Sequence, residues 1–184
     1  SVTVLVKMKC VNNTTVPQNL SLNLVYGIEY PDVYPAVKLI HSENSVWINA
    51  VDYTSLEFAQ KRPKDNLVTD GWNRGEIRGN EFIDGSAVGQ NFGKDKGDKL
   101  VYKLLVKKEY SSGTLSLYCR MKENESCSLK LSGLINQTVS LKGNGKLDKM
   151  DLPFRLNQNS EIEIIADGGD AVELNGILFT PSGE

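Results

Sequence analysis

The stretch Gly113-Thr114-Leu115-Ser116-Leu117-Tyr118-Cys119-Arg120-Met121 places Leu115, Leu117, Cys119 and Met121 at every second position. A period of two is the mark of a half-buried strand, because successive side chains on a strand point to opposite faces. The same period returns on both sides of it. Upstream it recurs in Val2, Val4, Val6, Met8 and Cys10, in Leu20, Leu22, Leu24 and Tyr26, and in Tyr102, Leu104 and Val106. Downstream it recurs in Leu129 and Leu131, Val139 and Leu141, Leu152 to Leu156, and Ile162 to Ala166. Turn formers stand between the runs: Asp84-Gly85, Lys96-Gly97-Asp98, Ser111-Ser112-Gly113, Gly143-Asn144-Gly145 and Asp167-Gly168-Gly169-Asp170, the last read as a tight turn between strands. Strand and turn alternating about every 8–12 residues, with no helical stripe, predict an all-β protein, an antiparallel β-sandwich of the jelly-roll kind. Tyr102, Leu104, Leu115, Leu117, Ile162, Ile164 and Phe179 are expected in its core.

The 184 residues are 40% hydrophobic and 24% charged, which is enough apolar surface to fold. With 21 basic against 23 acidic side chains there is no single-sign field, so nucleic acid is not an expected partner. No run approaches the ~18 consecutive apolar residues of a membrane span, and no membrane partner is expected. The sequence opens on a strand-like segment without an initiator Met or a basic leader, and reads as a piece of a longer protein. Residues 1–43 supply two clear strands and the Pro-rich segment Tyr30-Pro31-Asp32-Val33-Tyr34-Pro35. Two strands are not stable alone in water. This part is therefore expected to add N-terminal strands to the sandwich or to end a preceding domain, with residues 44–184 forming the sandwich itself.

The chemistry-bearing residues are sparse. Cys10, Cys119 and Cys127 include no Cys-x-x-Cys pair, so a zinc site is not expected. Cys119 continues a strand face and reads as core-facing, a bridge to Cys127 being the lesser alternative. The single histidine, His41, has no nucleophile motif near it, and no phosphate loop or dinucleotide fingerprint occurs. Glu76 with Glu81, or Asp167 with Asp170, read as solvated acidic residues rather than as a glycosidase pair. No catalytic residue is assigned. Trp72 sits in the polar, Gly-flanked loop Thr69-Asp70-Gly71-Trp72-Asn73-Arg74-Gly75, where a large ring serves either as a stacking platform beside Asn73 and Arg74 or as a plug over the end of the sandwich. Trp47 reads as core or interdomain packing.

From Trp47 onward, the order of motifs resembles carbohydrate-binding modules of families 6 and 35, galactose-binding-like jelly rolls attached to polysaccharide-degrading enzymes. The opening strand is Ile48-Asn49-Ala50-Val51-Asp52-Tyr53; Ala87-Val88-Gly89 precedes Gly97-Asp98-Lys99-Leu100-Val101-Tyr102; Gly113-Thr114-Leu115-Ser116-Leu117 follows, and Val172-Glu173-Leu174-Asn175-Gly176-Ile177-Leu178-Phe179 closes. The resemblance covers about three quarters of the chain. It implies a structural calcium held by two Glu of the opening strand and an Asp of the closing strand, but those positions hold Asn49, Val51 and Asn175. A hard cation needs several charged oxygens, so calcium is disfavoured and no cofactor is expected.

The resemblance also implies a sugar clamped between rings at the loop edge, with a polar residue just before the closing strand reading hydroxyls. Asn91 or Phe92 falls at the first ring position, Glu173 at the hydroxyl-reading position, and the loop expected to give the second ring, Gly145 to Met150, has no aromatic. The candidate stacking rings are thus Trp72 and Phe92, and the candidate hydrogen-bonding groups Arg74, Asn91, Asp170 and Glu173. The expected protein is a non-catalytic accessory module of a secreted, bacterial glycoside hydrolase, extracellular or at the cell surface, whose partners are a neutral oligo- or polysaccharide and the other domains of the parent enzyme. The alternative is a structural sandwich that packs on a catalytic domain without binding sugar.

Overall fold

The computed structural model describes residues 39, 41, 43–60, 75–104, 112–155 and 161–182. The strands expected within residues 1–43 lie outside these, as do Trp72 and Arg74. The described residues form eleven strands: β1 (Val46–Asn49), β2 (Ser55–Glu57), β3 (Glu76–Arg78), β4 (Ser86–Val88), β5 (Lys99–Lys103), β6 (Ser112–Arg120), β7 (Ser126–Gly133), β8 (Gln137–Lys142), β9 (Leu147–Arg155), β10 (Glu161–Gly169) and β11 (Glu173–Pro181), with one short 3-10 turn, Ile83–Gly85. They make two antiparallel sheets. One runs β3-β4-β11-β6-β9, with β1 also pairing β11; the other runs β2-β5-β10-β7-β8. The chain is a β-sandwich.

The alternation read in the sequence is the cause. On β6, Leu115, Leu117 and Cys119 are buried, and on β10 Ile162, Ile164 and Ala166 are buried; these inward rows from the two sheets join one apolar cluster. All seven residues expected in the core are buried. Burying a Leu or Ile side chain contributes about 1.5–3 kcal/mol, so the two inner faces supply the main drive to fold. Cys119 and Cys127 are both buried and both free thiols.

Two local readings change. Asp167-Gly168-Gly169-Asp170 is not the turn between strands: β10 runs through Gly169, and its pairing with β7 slips between Ala166 and Gly168. Gly168 and Gly169 have φ of +114° and +126°, a backbone that only glycine takes at low cost, so the pair makes a bulge and the turn begins at Asp170. Trp47 is not core. It alternates with Val46 and Ile48, which pack inward, and its half-buried ring lies on the outer face over Gly176, where an added Cβ would collide with it. The ring meets Tyr118 edge-on at 5.5 Å, and its Nε1 donates to Asp84 at 2.8 Å.

Candidate functional site

Strand ends bring four loops together at one edge of the sandwich. The β4–β5 connection contributes Gln90, Asn91 and Lys94, the β6–β7 hairpin Met121 to Glu123 and Glu125, the β8–β9 turn Gly145, and the β10–β11 connection Asp170 to Val172. With Arg120 at the end of β6, Glu173 at the start of β11 and Ile77 of β3, they line an open cleft of about 720 Å³. Asn91, Asp170 and Glu173, three of the six candidate site residues, are brought together here.

Each is placed by its local backbone. Gln90 and Asn91 both have positive φ, 53° and 61°, and Phe92 N donates to Gly89 O at 2.9 Å, which makes a type I′ turn. Asn tolerates the left-handed conformation better than most residues, so the turn itself favours Asn at 91 and leaves it exposed on the cleft. Asp170 caps the hairpin mouth opposite: its carboxylate accepts the Ser126 N–H at 2.9 Å and its own N–H donates to Ser126 O at 2.8 Å. Glu173 faces Arg120 across the β11–β6 ladder. Arg120 Nε donates to Glu173 at 2.5 Å and Nη1 to Glu81 at 2.6 Å. Its guanidinium stacks 4.8 Å from the centroid of the Phe82 ring. The hydrogen bond that Arg120 donates to Glu173 first, and the charge of both carboxylates, raise the Arg120 pKa, so the guanidinium stays charged.

Phe92 is corrected. It is fully buried, belongs to the apolar cluster and meets Phe58 edge-on at 6.4 Å. Two consecutive left-handed residues reverse the chain, send Gln90 and Asn91 outward and aim residue 92 inward. A stacking platform must present a ring face to solvent, so Phe92 is core, and among the described residues none that lines the cleft is aromatic. What the cleft offers is polar. Three cationic side chains (Lys94, Arg120 and Lys122) stand among four anionic ones (Glu123, Glu125, Asp170 and Glu173), beside two carboxamides. Donors and acceptors interleaved at near charge balance suit a ligand made of hydroxyls, each of which both donates and accepts.

Carbohydrate-binding modules are among the solved structures to which the chain is similar. A family 36 module of a multidomain xylanase from the hindgut metagenome of Trinervitermes trinervoides matches at 11% identity and a TM-score of 0.49, over 77% of this chain and 100% of that one. A family 6 module from Clostridium stercorarium, in complex with cellobiose, matches at 15% identity and a TM-score of 0.44, over 74% of this chain and 94% of that one. An exo-beta-1,3-galactanase from Phanerochaete chrysosporium with galactose matches at 18% identity and a TM-score of 0.46, over 57% of this chain. This match spans only 25% of the galactanase chain. A beta-(1,4)-mannanase carrying a family 35 module is also among the similar structures. No protein-family profile matches the sequence. No curated protein matches it.

The calcium that the sequence resemblance implies does not fit the residues present. Asn175 turns its Nδ2 toward Ile83 O at 3.0 Å and Ser86 O at 2.7 Å. Two carbonyl oxygens accept only from a donor, so the amide hydrogens stand where a cation would need negative oxygens. Among the described residues no group of three or more His, Cys, Asp or Glu side chains is placed to hold a metal ion. Arg120 and Glu81 escaped the sequence reading as a pair. The signal was the alternation of β6, which points Arg120 away from Cys119 at the strand's last residue, beside a hairpin at the loop edge.

Proposed function

We propose that the chain is a non-catalytic carbohydrate-binding module of a larger secreted, bacterial polysaccharide-active enzyme, binding neutral glycan at the loop edge. The cleft of about 720 Å³ carries this reading, with Asn91, Asp170 and Glu173 converging in it beside Arg120. Its chemistry separates roles. Glu173 and Asp170 accept from sugar hydroxyls, Asn91 and Gln90 do both, and Lys94 and Lys122 donate. Arg120, neutralised by two carboxylates, fixes Glu173 rather than attracting an acidic sugar. Among the described residues the wall carries no ring, so affinity there rests on hydrogen bonds and binding is weak, on the order of 0.1–1 mM.

Calorimetric titration of the full chain with neutral xylo-, cello-, manno- and galacto-oligosaccharides tests this. One series should bind in that range, with Asn91→Ala and Asp170→Ala each weakening it about tenfold, the loss of one or two hydrogen bonds. No heat from any series at tens of millimolar would overturn it. That none of the described residues lining the cleft is aromatic favours a second reading, a structural sandwich that packs on a catalytic domain. In that case deleting the module from the parent enzyme would lower its stability while no sugar bound.

A further inference from the structure

Asn175 lies fully buried at an irregularity in β11, where the pairing with β6 slips between Leu174 and Gly176. Its two amide hydrogens go to Ile83 O and Ser86 O, and its Oδ1 accepts the Ile83 N–H at 3.0 Å. Asn49, at the end of β1, accepts from Ser86 Oγ at 3.2 Å and from Val51 N at 3.1 Å. Two neutral side chains therefore tie the second half of the loop Gly79–Ser86 to β11 and β1. The first half of that loop carries Glu81 and Phe82, the groups that hold Arg120 in the cleft wall. Backbone bonds close the loop on itself: Gly79 N donates to Gly85 O, Phe82 N to Gly79 O and Gly85 N to Phe82 O. Glu81, Phe82 and Ile83 thus sit consecutively inside one closed loop.

We propose that Asn175 is a positioning residue for the cleft: with neutral hydrogen bonds it holds the Gly79–Ser86 loop, and through Glu81 and Phe82 it sets Arg120. An aspartate at this position would keep the shape but replace both donors by acceptors, facing carboxylate oxygens against two carbonyl oxygens. One carboxylate among neutral oxygens supplies a single charge, short of what a hard cation needs, so the loop would lose its hold. The proposal concerns how Arg120 is held, not whether a sugar binds, so its failure is separate from that of the binding reading.

Three measurements test it. In the unaltered protein, hydrogen exchange of the Ile83 amide should be as slow as that of the strand amides of Leu117 and Ile177; exchange as fast as that of an exposed turn would overturn the proposal. In Asn175→Ala, the Arg120 Nε–H resonance should lose its protection from exchange, and the melting temperature should fall by about 10 °C as buried carbonyls lose their donors. A folded variant with the Arg120 signal unchanged would overturn the proposal. In Asn175→Asp, where acceptors replace both donors, the Arg120 signal should lose its protection as it does in Asn175→Ala, and an unchanged signal in the folded variant would overturn the proposal. Millimolar calcium should leave the melting temperature of the unaltered protein unchanged. Calcium that stabilises the unaltered protein would overturn the neutral-junction claim. Should both variants fail to fold, the Ile83 exchange rate decides.

Discussion

Raising the pH from 8 to 10 should weaken the fold through two thiols. Burial, with the neighbouring Cys127 and Asp148 adding, pushes Cys119 from an ordinary 9.0 up to about 12. Burial, with Asp170 adding, pushes Cys127 up to about 11. A group whose folded pKa lies above its unfolded value contributes fully below the unfolded value, and that contribution is lost as pH rises toward the folded one. Between pH 8 and 10 the unfolded thiols ionise while the folded ones stay protonated, which favours the unfolded chain by about 1 kcal/mol per thiol and about 2–3 kcal/mol for both. Tyr102, held well above its usual range by burial, adds a smaller loss near pH 10. Urea unfolding at the two pH values, in the chain and in Cys119→Ala/Cys127→Ala, isolates the thiol part: the double variant should lose about 2–3 kcal/mol less than the parent over this interval. Equal losses in both proteins would refute the inward placement of the two thiols. So would rapid reaction of the folded chain with a thiol reagent at pH 8.

Leu117→Ala, at a fully buried position of β6 between β11 and β9, should cost about 2–5 kcal/mol in urea unfolding, and a loss below about 0.5 kcal/mol would place it outside the core. The Asp151 carboxyl is held below its usual value by hydrogen bonds from Lys149 and Ser116. Its contribution is therefore present above the ordinary carboxylate range and disappears as pH falls through the lowered value. Because the side chain is about half exposed the effect is small, and Asp151→Asn should flatten the acid limb of the stability profile slightly; an unchanged limb would contradict the pairing. Residues 1–43 are expected not to fold alone, and limited proteolysis that releases a separately folded N-terminal fragment would contradict this.

The strands β6, β7, β8 and β10 were legible because buried apolar residues recur in them at every second position. The short strands β2, β3 and β4, of three residues each, were not, since three residues hold no period. The Gly168-Gly169 pair misled because the chemistry of a turn and that of a bulge are the same: both need φ that only glycine takes freely. At the cleft, Asn91, Asp170 and Glu173 were legible as polar residues in loops at one edge. Phe92 was not, because parity along a chain fails across a turn with two left-handed residues. Arg120 looked like any charged strand residue. Its role depends on β11 lying beside β6 and on the Gly79–Ser86 loop folding over both, long-range facts that no local pattern carries.

The most direct measurement of the central claim is a two-dimensional amide and side-chain NMR titration of the full chain with the neutral oligosaccharides. Binding at the loop edge predicts that the backbone signals of Gln90, Asn91, Asp170 and Glu173 and the Nε–H of Arg120 shift together, saturating with a dissociation constant on the order of 0.1–1 mM, while the strand amides of Leu129 and Ile164 stay in place. Unmoved cleft signals at tens of millimolar sugar, or shifts confined to another face of the sandwich, would contradict it.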